Sequence, residues 1–187
     1  MDTTDLRPTT IEPVRVTGPV PRGAGSLREV IMGAQDNLTN VLAVVLGVAI
    51  GSGDVSTVAL AGLAAGVAEA ISMGGVLYTA TKAERDLACS RGERSTKRPS
   101  RAAGITFVAA LVAALVPLAP FAFFPLRWAM AIAATLSLAT LFGVGVWTGG
   151  ITGDAWWRSG VRFVAIGGLA AMASALVGVV LRTNGAA

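Results

Sequence analysis

The sequence predicts an all-α integral membrane protein with five transmembrane helices, and two observations carry this prediction. Only 14% of the 187 residues are charged and 53% are hydrophobic, whereas a typical soluble domain carries about 25% charged residues. The apolar residues are also gathered into five long segments. Each segment is long enough to cross a bilayer, which takes about 20 residues in a helix.

The predicted elements follow in order along the chain. Residues 1–26 are polar and contain four of the eight prolines, so we expect a flexible cytoplasmic tail. A transmembrane domain is predicted over residues 27–185, with spans at about 30–51, 55–80, 103–124, 128–148 and 161–181. The short connections "GSGD" and "FFPLRW" indicate that the first and third spans are each followed by a neighbouring antiparallel helix.

The distribution of Lys and Arg predicts the orientation. Most basic residues lie in the amino-terminal tail, in residues 82–101 and just before the fifth span. All three regions fall on one side of a five-span chain, and basic loops face the cytoplasm. We therefore expect a cytoplasmic amino terminus, a basic cytoplasmic loop over residues 82–101 and an outer carboxyl terminus. This reading also accounts for the net charge of +4 without a nucleic-acid partner.

The residue types that are missing limit the chemistry. With one Cys and no His, the chain can form neither an internal disulfide nor a zinc site of the usual Cys/His kind. No nucleophile–base pair and no phosphate-binding loop is visible. The sequence therefore predicts neither an enzyme nor a resident cofactor.

Two carboxylates fall inside the predicted spans, Asp36 in the first and Glu69 in the second. A charged side chain at the bilayer centre costs about 2.5–3.5 kcal/mol on insertion scales. No Lys or Arg lies at matching depth in any span, so a transported cation or protons would be the positive partner. Two alternatives remain open: Glu69 as a protonated acid that bonds a neighbouring helix, and Asp36 as a helix-start residue near the interface.

Other candidate ligands lie near these carboxylates. Met73 follows Glu69 by about one turn, and in antiparallel spans it falls at about the depth of Asp36. Asn37 and Asn40 lie beside Asp36 and are predicted to line an ion path with it. A thioether among oxygen donors is tolerated by Fe²⁺ and other transition metals, whereas Mg²⁺ gains nothing from sulfur. Met73 as a plain gap-filling residue remains the alternative.

Small residues accompany the polar ones. Gly47 and Gly51 on the first span, and Gly62 and Gly66 on the second, each form a small-xxx-small pair. Such pairs allow the backbones of two transmembrane helices to approach closely. We therefore predict helix packing at these four glycines.

Several stretches resemble the vacuolar iron transporter family. "GAQDNLTNVLAVVLGVA" is similar to the first helix of that family, and "AISMGGVLYTATKAERD" to its second helix. "ALVPLAPF" and "WTGGITGDAWWRSGVRFVAIGGLAA" extend the likeness through the third span and the fourth-to-fifth connection. The motifs keep the family's order and cover most of the chain from Leu27 onward.

The resemblance implies a two-fold symmetric dimer whose first two helices line a path for Fe²⁺, and often Mn²⁺, out of the cytoplasm in exchange for protons. It matches Asp36 and Met73 to family ligands and adds Glu84 to the ion path. Asn37 replaces the usual Gly after the Asp. Three further departures stand out: Glu69 lies one turn nearer the Met than the Glu of eukaryotic members, residues 82–101 are too short and basic for their Glu-rich cytoplasmic domain, and Leu77 stands where many prokaryotic members have a Glu just before the Tyr.

The residues and the resemblance together predict a transporter of Fe²⁺, with Mn²⁺ as a second substrate, and Asp36, Glu69 and Met73 as metal ligands. Export from the cytoplasm by proton antiport is what the resemblance implies. The expected partners are a second copy of the chain, the lipid bilayer, the metal ion and protons. The composition indicates the plasma membrane of a prokaryote. The alternative is a non-transporting membrane scaffold whose buried carboxylates are protonated.

Overall fold

The chain folds into a bundle of five helices in the computed structural model, which describes residues 24–183 and 185. No strand occurs in this part of the chain. Each helix is long and apolar enough to cross a membrane, which confirms the predicted all-α class and the number of spans. The helices are α1 (Ala24–Ser52), α2 (Val55–Ser90), α3 (Pro99–Phe123), α4 (Leu126–Thr152) and α5 (Trp156–Thr183).

The predicted tail lies almost wholly outside the described residues. Its last three residues were expected to be irregular, but α1 begins at Ala24 and includes them. The apolar pattern of the span begins only after them, and a helix can extend beyond its apolar part.

Helix α1 is the centre of the bundle and packs against all four other helices. Leu38, Val41, Leu42 and Val45 are almost fully buried on it. This position explains why α1 carries both buried and exposed polar residues, since different faces of one helix meet different neighbours.

Helices α1 and α5 run in the same direction and approach closely. Thr39 lies beside Gly167, and two turns further along, Gly47 lies beside Ser174. A Cβ on Gly47 would be 2.9 Å from the carbonyl oxygen of Ser174, so only a glycine fits there without a shift of the backbone. This seam borders the site described below.

Helix α2 runs opposite to α1, as the short turn between them requires. Gly66 lies beside Val41 and Gly62 beside Val45, so residue numbers on α2 fall as those on α1 rise. The amino-terminal half of α1 and the carboxyl-terminal half of α2 therefore share one end of the bundle.

The turn between α1 and α2 is fixed by Gly53 and Asp54. Gly53 has a φ of +69°, a left-handed conformation that favours glycine. Asp54 caps α2, and its carboxylate accepts hydrogen bonds from the Thr57 backbone N–H at 2.8 Å and from the Thr57 hydroxyl at 2.7 Å. These bonds, with one from the Ser56 hydroxyl, hold the pKa of Asp54 well below its usual range.

The connection between α2 and α3 is shorter than the predicted loop of residues 82–101. Helix α2 continues to Ser90 and α3 already begins at Pro99, which leaves residues 91–98 between them. Lys, Ala, Glu, Arg and Leu in residues 82–90 favour a helix. The loss of hydrophobicity near residue 80 therefore marks where the apolar span ends, whereas the helix itself continues.

Candidate metal centre

The two carboxylates of the predicted spans meet at the contact between α1 and α2. The carboxyl group of Glu69 lies against the side chains of Asp36 and Asn40. Glu69 is partly buried, whereas Asp36 and Asn40 are exposed on the surface of the single chain. Although Glu69 lies one helical turn nearer Met73 than the resemblance implies, its carboxyl group therefore still reaches Asp36.

Within the described part of the chain, the carboxylate pair lacks a fixed positive partner. Among the residues that the structure describes, neither Asp36 nor Glu69 forms an ion pair with a Lys or an Arg. Two negative charges about 4 Å apart repel by roughly 4 kcal/mol at an effective dielectric constant of 20. A shared proton or a bound cation removes this repulsion, so the pair can hold either one.

Asp36 also lines a cavity of about 370 Å³ at the junction of α1, α2 and α5. Met73 of α2 lines the same cavity. The sequence predicted that Asp36 and Met73 lie at the same depth, and in the structure both line this cavity. Asp36 thus shares this cavity with Met73 and contacts Glu69.

Four further lining residues were not singled out from the sequence: Met32, Gln35 and Thr39 of α1, and the apolar Ile166 of α5. Met32 precedes Asp36 by four residues and Thr39 follows it by three, so both share its face of α1. That spacing was the available signal. It is weak alone, because Met and Thr are ordinary residues in transmembrane helices.

Asn37 lies elsewhere. Its side chain is fully buried, and its amide nitrogen donates to the carbonyl oxygen of Gly66 at 3.0 Å and to that of Ala110 at 2.9 Å. The amide therefore joins α1 to both α2 and α3. Successive residues on a helix point about 100° apart, which is why Asn37 faces the bundle while Asp36 faces outward.

Glu84 is far from the other candidates. It follows Glu69 by fifteen residues, which is about 22 Å along a helix. Its carboxylate pairs with Lys97 of the α2–α3 connection, and both side chains are about half exposed. The structure therefore does not bring Glu84 to the carboxylate pair.

The four glycines of the small-xxx-small pairs lie at helix contacts. Gly47 and Gly51 lie against α5, and Gly62 and Gly66 lie against α1 and α3. A Cβ on Gly66 would come within 2.8 Å of the Cβ of Ala114. This close packing holds α1 and α2 together along the face that carries Asp36 and Glu69.

Within the described residues, no group of three or more His, Cys, Asp or Glu side chains could hold a metal ion. A complete centre therefore needs other donors, such as thioethers and amides, or carboxylates from a second copy.

Comparison with known proteins agrees with this architecture. The model of the VIT family matches residues 27–97 and 87–179, and so covers most of the bundle. An uncharacterized protein of Methanocaldococcus jannaschii is 29% identical over 160 residues, an alignment that covers 76% of this chain and 83% of that protein. The chain therefore belongs to the VIT family and is a multi-pass membrane protein of a family of metal transporters.

Proposed function

We propose that this protein exports divalent transition metals, Fe²⁺ first and Mn²⁺ second, from the cytoplasm in exchange for protons. The observation that carries the proposal is the contact between Asp36 and Glu69, with Met73 on the adjoining cavity. These groups lie in apolar helices without a fixed cation among the described residues. A mobile cation is the simplest partner for such a pair.

Exposure of the site supports a homodimer. Asp36 and Asn40 are exposed on the single chain, within a helix apolar enough to cross the membrane. Polar groups in transmembrane segments face a protein interior or an aqueous cavity rather than lipid. A second copy related by a two-fold axis would cover them and bring four carboxylates and two Met73 thioethers to one seam.

The donor set supports a transition metal. Carboxylates bind any divalent cation, but a thioether adds affinity only for softer ions. Mg²⁺ prefers six oxygen ligands and gives up its water slowly. Fe²⁺ and Mn²⁺ therefore fit this site better than Mg²⁺, and Fe²⁺ fits the sulfur better than Mn²⁺.

The carboxylate pair supports proton coupling. The repulsion between Asp36 and Glu69 is relieved either by a metal ion or by a proton. Protonation from the outer side would weaken metal binding and release the ion there, and loss of that proton to the cytoplasm would restore the site. The family resemblance supplies the outward direction, and the basic residues at one end of the bundle support a cytoplasmic location for that end in a prokaryotic plasma membrane.

Metal flux into proteoliposomes under an imposed pH gradient tests the proposal. We expect the parent to transport Fe²⁺ and Mn²⁺, and Asp36→Asn and Glu69→Gln to lose most of the proton-driven flux. Asp86→Asn is the matched control, because Asp86 is an exposed carboxylate of α2 that lies beside Arg85. A membrane scaffold predicts no flux in the parent, and that result would refute the transporter.

A further inference from the structure

The cavity beside Asp36 contains more donor atoms than the predicted site. Met32, Gln35 and Thr39 line it together with Asp36 and Met73. The four residues of α1 follow one another at spacings of three, one and three, so they form one face about 10 Å long. Two thioethers, one from α1 and one from α2, therefore border the same space.

Thr39 differs from other threonines of the bundle. Thr135, Thr140 and Thr148 of α4 each donate their hydroxyl to the carbonyl oxygen four residues earlier. The Thr39 hydroxyl has no hydrogen-bond partner among the described residues, although only 7% of the residue is exposed. A buried hydroxyl without a partner is unusual in a folded protein. Thr39 is one of the residues that line the cavity, but its hydroxyl oxygen is itself buried and lies beside Gly167 of α5.

We propose that Met32 is a second sulfur ligand of the transported metal and that Gln35 supplies a neutral oxygen atom beside it. This inference rests on the proposed transport function. Two thioethers make the site softer than a site with one, and sulfur donors favour Fe²⁺ over Mn²⁺. Met32 is therefore a residue that determines metal specificity.

The transport test compares Met32→Leu with the parent in Fe²⁺ and Mn²⁺ flux. Leu keeps a similar volume without sulfur. We expect the KM for Fe²⁺ to rise by roughly tenfold, within the range found when a supporting group of a metal site is lost, while the KM for Mn²⁺ changes much less. Gln35→Leu should instead weaken the binding of both metals alike. Met172→Leu is the control, because Met172 is 70% exposed on α5.

X-ray absorption of the Fe²⁺-loaded protein gives a second readout that does not depend on transport. We expect sulfur scatterers in the parent, about half that signal in Met32→Leu, and none when Met73 is also replaced by Leu. If Met73→Leu removes the whole sulfur signal and Met32→Leu leaves it unchanged, this inference is wrong while the proposed function stands. If the parent neither binds nor transports a metal, both are wrong.

Discussion

Replacing Asn37 with Ala is expected to destabilise the bundle by about 1–3 kcal/mol. The amide donates two hydrogen bonds, to carbonyl oxygens of α2 and α3. Hydrogen bonds between transmembrane helices contribute about 0.6 kcal/mol on average and about 1.7 at most. Two such bonds therefore give roughly 1.2 to 3.4 kcal/mol.

Two smaller effects modify this value in opposite directions. The Asn37 side chain is fully buried, so its removal also leaves a small cavity, which costs further stability. Against this, its carbonyl oxygen has no partner among the described residues, and deleting an unpaired buried polar atom is favourable. Both accepting carbonyls lie within helices and keep their own helical bonds, so no new unpaired group is created.

Reversible unfolding in mixed detergent micelles, or steric trapping in bicelles, measures the free energy of unfolding directly. Thr135→Ala is the control, since Thr135 is an exposed polar residue of α4 whose hydroxyl bonds its own helix. The control should stay within about 0.5 kcal/mol of the parent. If Asn37→Ala is as stable as Thr135→Ala, the assignment of Asn37 as a tie between three helices is wrong.

Two further predictions concern the α1–α5 seam and the α1–α2 turn. A Cβ on Gly178 would collide with the carbonyl oxygen of Gly47, whereas one on Gly168 meets nothing within 4 Å. Gly178→Ala should therefore lower the unfolding free energy by about 1–3 kcal/mol, and Gly168→Ala is the control. Equal thermal stability of the two variants would contradict this packing. The pKa of Asp54 lies below its usual value of 3.8, so its ionised form stabilises the fold above the unfolded-state pKa and loses this effect as pH falls through the folded-state pKa. The stability difference between the parent and Asp54→Ala should thus stay constant from pH 7 to about pH 5 and shrink only in stronger acid; a difference that vanishes above pH 5 would oppose it.

The fold was largely predictable because a bilayer imposes a length and a polarity on each span. Five apolar segments gave five helices. The boundaries were less predictable, since hydrophobicity reports where lipid ends and not where a helix ends. The extension of α2 to Ser90 is the clearest case, because its last turns are polar but still favour helix.

The site was predictable only in part. Helical spacing and antiparallel topology placed Asp36 and Met73 at one depth, and both line one cavity. The same reasoning treated Asn37 and Asn40 as equivalent, because α1 is apolar on several faces and its rotation cannot be read from the sequence. Whether the Thr39 hydroxyl bonds its own helix or is buried without a partner among the described residues depends on coordinates as well.

Asp36 and Asn37 are adjacent in the chain, so the rotation of α1 that the Asn37 hydrogen bonds fix also fixes the contact between Asp36 and Glu69. The hydrogen bonds of Asn37 to α2 and α3 hold α1 in one rotation, and in that rotation Asp36 contacts Glu69. Rotating Asp36 away from Glu69 would break both bonds, so α1, α2 and α3 are expected to move together. Within the described residues no side-chain hydrogen bond joins α5 to α1, and their seam is lined by glycines. The cavity that holds Met32 and Met73 borders this seam, so a shift of α5 can change access to the metal ligands while the carboxylate pair stays intact.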